Sequence, residues 1–246
     1  MTKGELPPLG DLELLRQTRL AWHAVAEQVL AAARHRATGR IGLRATPGGF
    51  GTPPYERGGR EEELQVVRRD LVVRRGESTT IAPLTTLADA ATAVGIEPGA
   101  PDGVYTPTTD HAVDAPLQID EPAADALGAW FNLAWVALEE LGAQSGADDA
   151  PSEVQLWPEH FDAAMETGSE SAKARGTYGA SPGDAHHPEP YLYIELWSEV
   201  PADPYWNDTS FHGASRSYSA VRDSKDPTQS VREFFARGRE LLTGPA

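Results

Sequence analysis

The segments Leu156-Trp-Pro-Glu-His-Phe-Asp162 and Ala180-Ser-Pro-Gly-Asp-Ala-His-His-Pro-Glu-Pro-Tyr-Leu-Tyr193 combine aromatic residues with three of the chain's seven histidines. The residues around them alternate between apolar and polar, which is typical of half-buried strands. Three strands are predicted here: Val154–Met165, Ala174–Ala180 and Tyr191–Trp197. If these strands pair, the two segments converge, and this expectation decides both the fold and the candidate site.

Helical patterns surround this stretch. In Asp120–Leu141, Asp120 is a suitable N-cap, Pro122 fits the first turn and Gly142 is a suitable end. This segment is apolar on nearly every side, so it is predicted to be a buried central helix. Three further helices are predicted, about Asp11–Ala37, Thr86–Gly95, and one from Asp226 that ends at Gly244-Pro245.

Strand patterns also occur on both sides of the buried helix, at Ile41–Thr46, Leu64–Val67, Leu71–Val73, Thr79–Ala82 and Ser215–Val221. A turn-rich loop is predicted at 47–55. Together these patterns predict an α+β fold in which antiparallel sheets pack against helices. We expect a single domain, 1–246, with two potential halves at 1–100 and 117–246. The segment between them is rich in Pro, Gly, Asp and Thr, which favours a surface loop or a boundary.

Charge is distributed unevenly along this acidic chain, whose net charge is −16. Residues 1–75 hold thirteen Lys/Arg and nine Asp/Glu, whereas residues 76–172 hold eighteen Asp/Glu and no Lys or Arg. Such a field repels nucleic acid and anionic membranes, so neither is expected as a partner. One function hypothesis is therefore a non-catalytic interaction module whose acidic middle segment binds a basic partner.

Cysteine is absent, which excludes disulfides, thiolate metal sites and cysteine nucleophiles. The longest apolar run, Ala126–Leu138, is interrupted by Asn132 and is too short to cross a bilayer. Met1–Pro8 has no apolar stretch after its charge, so no signal peptide is expected. These features predict a cytoplasmic protein; its oligomeric state is not encoded in any of them.

Imidazoles and carboxylates of the two quoted segments form the leading candidate site. In an extended strand His160 and Asp162 point the same way, and the second segment adds three further donors. The predicted ligands of a divalent metal, Zn, Mn or Fe(II), are His160, Asp162, Asp184, His187 and Glu189. No spacing here matches an established metal motif. The alternative is a hydrogen-bonded loop in which Asp184 caps a turn, His187 stacks on Tyr191 and Glu189 pairs with an arginine.

Aromatic side chains accompany these groups, as they do in small-molecule pockets. The predicted ligand-binding residues are Trp157, Tyr191, Tyr193 and Trp206, within a pocket formed by residues 154–207. The leading function hypothesis is binding of a small polar molecule or a metal ion there. If the protein is an enzyme, His160 and His187 are the expected titrating groups.

Gly179-Ala-Ser-Pro-Gly183 matches the G-x-S-x-G pattern of serine hydrolases. The residue after the nucleophile must donate its N–H to the oxyanion, and Pro182 has no N–H. The pattern is therefore not interpreted as a nucleophile.

Three segments of the chain resemble uncharacterised proteins from GC-rich bacteria. They are Leu156–Asp162, Ser181–Tyr193, and Ala37–Pro53, which reads ATGRIGLRATPGGFGTP. The resemblance covers most of the chain and implies that it folds as one unit. It implies no activity, because none is known for that family.

Overall fold

The computed structural model describes residues 6–243. It contains helices and two antiparallel sheets, which confirms the predicted α+β fold. The chain forms two compact units. Among the described residues, the first unit comprises Pro8–Asn132 and Leu156–Phe161, and the second comprises 6–7, Leu133–Gln155 and 162–243. The predicted helix end at Gly244-Pro245 lies outside the described residues.

A long N-terminal helix opens the first unit, as predicted. Its parts are α1 (Leu12–Val25), a π-helical turn (Ala26–Leu30) and α2 (Ala31–Thr38). Asp11 is the N-cap, because its Oδ1 accepts from the backbone N–H of Glu13 at 2.7 Å. Gly39 ends the helix in a left-handed conformation, φ 73°.

Glu27, in the π-helical turn, is a carboxylate that is fully buried. Its carboxylate accepts from the backbone N–H of Thr108 at 2.7 Å and from the Thr109 hydroxyl at 2.5 Å. Burial raises the pKa of Glu27, but hydrogen bonds from His23, Thr108 and Thr109 outweigh it, and the pKa is lowered overall. The residues that satisfy Glu27 therefore come from a loop about eighty positions further along the chain.

Two backbone carbonyls of the same turn also hold this loop. The Tyr105 hydroxyl donates to the carbonyl of Glu27 at 2.7 Å, and the Gly99 N–H donates to the carbonyl of Gln28 at 2.9 Å. A π-helical turn shifts the hydrogen-bonding pattern of a helix, which leaves carbonyls available to such donors. The 97–116 segment is therefore fastened to the helix rather than free in solvent.

The first sheet is built from short antiparallel strands in the order β1-β2-β4-β5-β6, with β3 paired to β4. Their bounds are β1 Arg44–Thr46, β2 Gly49–Gly51, β3 Tyr55–Arg57, β4 Arg60–Val67, β5 Asp70–Arg75 and β6 Ser78–Pro83. The predicted loop at 47–55 is partly wrong, since β2 lies within it. A Cβ at Gly49 would lie 2.0 Å from the Val66 carbonyl oxygen, so only glycine permits this pairing. Helix α3 (Leu87–Val94) follows, capped by Thr86 and ended by Gly95 as predicted.

Helix α4 (Glu121–Gln144) confirms the predicted buried helix. Asp120 caps it, accepting from the N–H of Ala123 at 3.0 Å. Leu127, Trp130 and Phe131 have no exposed surface. The helix continues two residues beyond Gly142, where it was expected to end.

The second sheet has the order β11-β10-β9-β8-β7. Its strands are β7 Gln155–Trp157, β8 Asp162–Thr167, β9 Gly176–Ser181, β10 Tyr191–Leu196 and β11 Gly213–Ser217. Helix α6 (Pro227–Thr243) lies close against β10, because a Cβ at Gly238 would be 2.2 Å from Ile194 Cδ1. The predicted strand Ser215–Val221 is wrong beyond Ser217, whose hydroxyl caps helix α5 (Tyr218–Arg222).

Among residues 6–243, no helix is long and apolar enough to cross a membrane.

Candidate functional site

The first quoted segment is a turn, which corrects the single predicted strand Val154–Met165. Strand β7 ends at Trp157 and β8 begins at Asp162, and the N–H of Phe161 donates to the Trp157 carbonyl at 2.7 Å. Phe161 has φ 55°, a left-handed conformation that glycine usually adopts and that a phenylalanine does not predict. His160 and Asp162 therefore do not share a strand face. His160 is exposed, whereas Asp162 is buried.

Asp162 does meet the second quoted segment, as expected. The Tyr193 hydroxyl donates a hydrogen bond to Asp162 Oδ2. Tyr193 is the register partner of Gly179, and Gly179 is also the partner of Ala164 on β8. A Cβ at Gly179 would lie 2.4 Å from the Tyr193 ring, so the ring reaches β8 by crossing a position that has no side chain.

The hydrogen-bonded loop proposed as an alternative is present around Asp184. Its Oδ1 accepts from the N–H of His186 at 2.6 Å and of His187 at 2.8 Å, and its Oδ2 accepts from the Tyr191 hydroxyl at 2.6 Å. His187 stacks on Tyr191 with ring centroids 4.2 Å apart. The expected arginine partner of Glu189 is replaced by the backbone N–H of Ser219, at 3.0 Å.

Asp208 completes this cluster and was not predicted. Its Oδ2 lies 2.9 Å from His187 Nε2, and its Oδ1 accepts from the N–H and hydroxyl of Ser210 at 2.8 and 2.7 Å. His187 Nδ1 is buried without a hydrogen-bond partner and lies 3.6 Å from Asp184 Oδ1. The only sequence signal was the Asp-x-Ser spacing, which is typical of a capped turn and says nothing about His187.

We call these groups the aspartate network; its members are Asp162, Asp184, His187, Tyr191, Tyr193 and Asp208. Burial raises the pKa of Asp208, but hydrogen bonds from Ser215 and Ser210 outweigh it and lower the pKa to about 2. The pKa of Asp184 is lowered in the same way, mainly by the Tyr191 hydroxyl. Burial raises the pKa of both tyrosines. At neutral pH Asp184 and Asp208 are therefore ionised, whereas the phenols of Tyr191 and Tyr193 are protonated.

The five predicted metal ligands do not form one metal site. In the part of the chain that the structure describes, no group of three or more His, Asp or Glu side chains is arranged to hold a metal ion. Asp184, one of the five, already accepts three hydrogen bonds from nearby N–H and O–H donors. His160 lies in the turn, and Glu189 caps the start of α5.

Two predicted ligand-binding residues lie outside the network. Trp157 is the last residue of β7. Trp206 is buried, packs edge-to-face on Tyr205 at 5.0 Å, and its indole N–H has no hydrogen-bond partner. Tyr191 and Tyr193 are thus the predicted aromatic residues that the structure brings together.

An open groove in the second unit was missed by the sequence analysis. We call it the Trp197 groove; it has a volume of about 1000 Å³, and its lining includes Glu170, Lys173, Arg175, Trp197, Glu199 and His212. That volume is within the range of small-molecule sites. The available signal was the end of the long segment without positive charge, because Lys173 and Arg175 are the first basic residues after it.

Trp197 is held in place although 52% of it is exposed. Its indole N–H donates to the Thr177 hydroxyl at 3.1 Å, and the Arg175 guanidinium lies 5.0 Å from the centroid of its ring. Arg175 is itself fixed by an ion pair with Glu166 at 3.1 Å. Lys173 has φ 56°, a conformation that non-glycine residues adopt rarely. The groove therefore presents a fixed ring next to exposed charges.

Comparison with known proteins gave no family model, no curated protein and no solved structure that matches this chain. The resemblance to uncharacterised bacterial proteins remains a prediction.

Proposed function

We propose that the protein binds a small polar organic molecule with a flat ring in the Trp197 groove. The observation that carries this proposal is the half-exposed ring of Trp197, which is hydrogen-bonded to Thr177 and packed against Arg175 in a groove of about 1000 Å³. Leaving so much aromatic surface in water is unfavourable, and a large exposed aromatic in a concave site is typical of a ligand platform.

The charges of the lining support a ligand that carries groups of both signs. Lys173 and Arg175 are cationic, whereas Glu170 and Glu199 are anionic. Lys173, Glu170 and Glu199 are exposed, and Arg175 is partly buried. Exposed charges keep their hydration and can exchange water for a ligand at low cost. An aromatic amino acid or a related zwitterion has the matching chemistry. Its ring would stack on Trp197, its carboxylate would face the cationic side chains and its ammonium group would face the anionic ones.

Binding can be measured by calorimetry with aromatic amino acids, using aromatic carboxylates and aromatic amines as single-charge comparisons. We expect binding by a zwitterion, with at least a roughly tenfold loss of affinity in Trp197→Ala, equivalent to about 1.4 kcal/mol. Trp135→Phe is the matched control, because Trp135 lies on α4 and bonds to Glu139 outside the groove. Equal binding by Trp197→Ala and the wild type would contradict the proposal.

A second candidate is acid–base chemistry at His187. It is supported by the Nε2 contact with Asp208 at 2.9 Å and by the unpartnered Nδ1. If Nε2 carries the proton and donates a hydrogen bond to Asp208, Nδ1 is unprotonated and is the nitrogen that can act as a base. Nuclear magnetic resonance of the imidazole would test this: a small-molecule ligand that shifts Nδ1 in the wild type, and not in Asp208→Asn, supports it. Ligands that leave the His187 signals unchanged would count against it.

A further inference from the structure

Strand β6 occupies the end of the order β1-β2-β4-β5-β6, so among the described strands only β5 pairs with it. The second edge of β6 therefore presents backbone N–H and C=O groups outward from the sheet. Such an edge is a template for another strand unless charges, bulges or proline block it. Here proline occurs at the last position, Pro83.

The side chains of β6 favour strand pairing. Ser78, Thr79, Thr80 and Ile81 are all exposed, and no charged residue interrupts the strand. Ile81 is 65% exposed, the highest value among the described residues with large exposed apolar side chains. β-Branched residues are those that pack best across paired strands. This edge is thus uncharged, and three successive β-branched residues, Thr79, Thr80 and Ile81, form its centre.

Charge also decides which partner fits. Two copies of a chain with net charge −16 repel one another unless they meet at a neutral surface. The strand adjacent to β6 carries Arg74 and Arg75, and these pair with Glu63 (at 3.2 Å) and Glu62 on β4. The hairpin behind the edge is therefore locally neutral, in contrast to the rest of the chain.

We propose that β6 is a self-association surface, at which the β6 strands of two copies pair antiparallel across a twofold axis. Antiparallel pairing of a strand with its own copy is isologous, so one uncharged surface satisfies both partners. With the twofold axis at Thr80, the exposed Glu77 next to the strand would face Pro83 of the second copy rather than another acidic side chain. A single pair of short strands buries little area, which predicts a weak dimer that dissociates on dilution.

Sedimentation velocity over a concentration series is the direct test. We expect the wild-type chain to shift from monomer towards dimer as its concentration rises, because a small interface gives a weak dimer. Ile81→Lys should raise the dissociation constant at least about tenfold, because it places a desolvated cation at the edge. The matched control is Val136→Lys, since Val136 is a 48% exposed aliphatic residue on α4.

Disulfide trapping gives a second, independent readout, which is clean because the chain contains no cysteine. A Thr80→Cys variant should form a covalent dimer on mild oxidation, since residues near a twofold axis in paired strands approach within disulfide range. Val136→Cys should form far less. Circular dichroism of each variant confirms that the fold is retained. A wild-type chain that is monomeric at all concentrations, or equal trapping by both cysteine variants, would overturn the proposal.

Discussion

The aspartate network and the Trp197 groove lie in the same unit and use the same kinds of side chain, yet they differ in what those side chains contact. In the network, the carboxylates of Asp184 and Asp208 and the two phenols are hydrogen-bonded to neighbouring groups, and the Asp208 side chain is 3% exposed. In the groove, Trp197 is 52% exposed, and Glu170, Lys173 and Glu199 are exposed as well. Polar groups that satisfy each other stabilise a fold, whereas groups that face water can bind something else. The difference predicts that substitutions in the network alter stability and substitutions in the groove alter binding.

The largest effect on stability is expected where the network crosses the sheet. Gly179→Val places side-chain atoms in the space of the Tyr193 ring, 2.4 Å from a Cβ, and separates that ring from Asp162. Overpacking of this kind costs about 3 kcal/mol or more. Urea unfolding should show it. Gly146→Ala is the control, because its Cβ would make only an ordinary 3.7 Å contact with Asp149; a similar loss in both variants would contradict the prediction.

Removing one donor from the network should have an intermediate effect. Tyr193→Phe deletes the hydroxyl that donates to the buried Asp162 while it keeps the ring. A hydrogen bond to a buried carboxylate contributes about 1.5–3 kcal/mol to the free energy of unfolding. Thermal and urea unfolding measure the change. Tyr193→Phe unfolding at the same urea concentration as wild type would show that this contact adds no stability.

The pH dependence of stability should also depend on the network. The pKa of Asp208 is lowered to about 2 in the folded chain, so the unfolded chain takes up its proton first as the pH falls. Its stabilising contribution is complete above the unfolded pKa of about 3.9 and is lost as pH falls through the folded value. The slope of the unfolding free energy against pH reports the number of protons taken up on unfolding. Asp208→Asn should therefore reduce that number by up to about one between these two pH values. The exposed groove residue Glu199 provides the control, Glu199→Gln; an equal flattening there would remove the distinction.

The smallest effect on stability is expected in the groove. Lys173→Met keeps an unbranched side chain and removes an exposed charge, so the free energy of unfolding should change by no more than about 0.5 kcal/mol. Ligand affinity measured by calorimetry should nevertheless fall. A loss of stability equal to that of Tyr193→Phe would show that the groove also serves mainly to hold the fold together.

Local signals account for the parts of the fold that could be predicted. Asp11, Thr86 and Asp120 each cap a helix through hydrogen bonds within a few residues, so the sequence contains the whole interaction. Failures occurred where distant residues decide. Phe161 adopts a left-handed conformation that its residue type does not favour, and Tyr218 begins a helix where alternation predicted a strand.

The candidate site follows the same rule. The contacts of Asp184 with His187 and Tyr191 lie within one short loop, and the alternation of residues in β10 placed Tyr191 and Tyr193 on one face. Asp208 joins His187 from 21 positions further along, with no pattern that relates the two. Exposure, which distinguishes the groove from the network, depends on the packing of several elements and is not encoded in any single segment.

The fastening of the 97–116 segment to the π-helical turn has a consequence for sequence divergence. Surface loops usually accept insertions and deletions, because their backbone is not tied to anything. Here Gly99, Tyr105, Thr108 and Thr109 each contact Glu27 or Gln28, so the spacing between these positions is set by the helix. In descendants of this chain, length changes should therefore accumulate after Thr109 and be rare between Gly99 and Thr109, although both stretches have the composition of a tolerant loop.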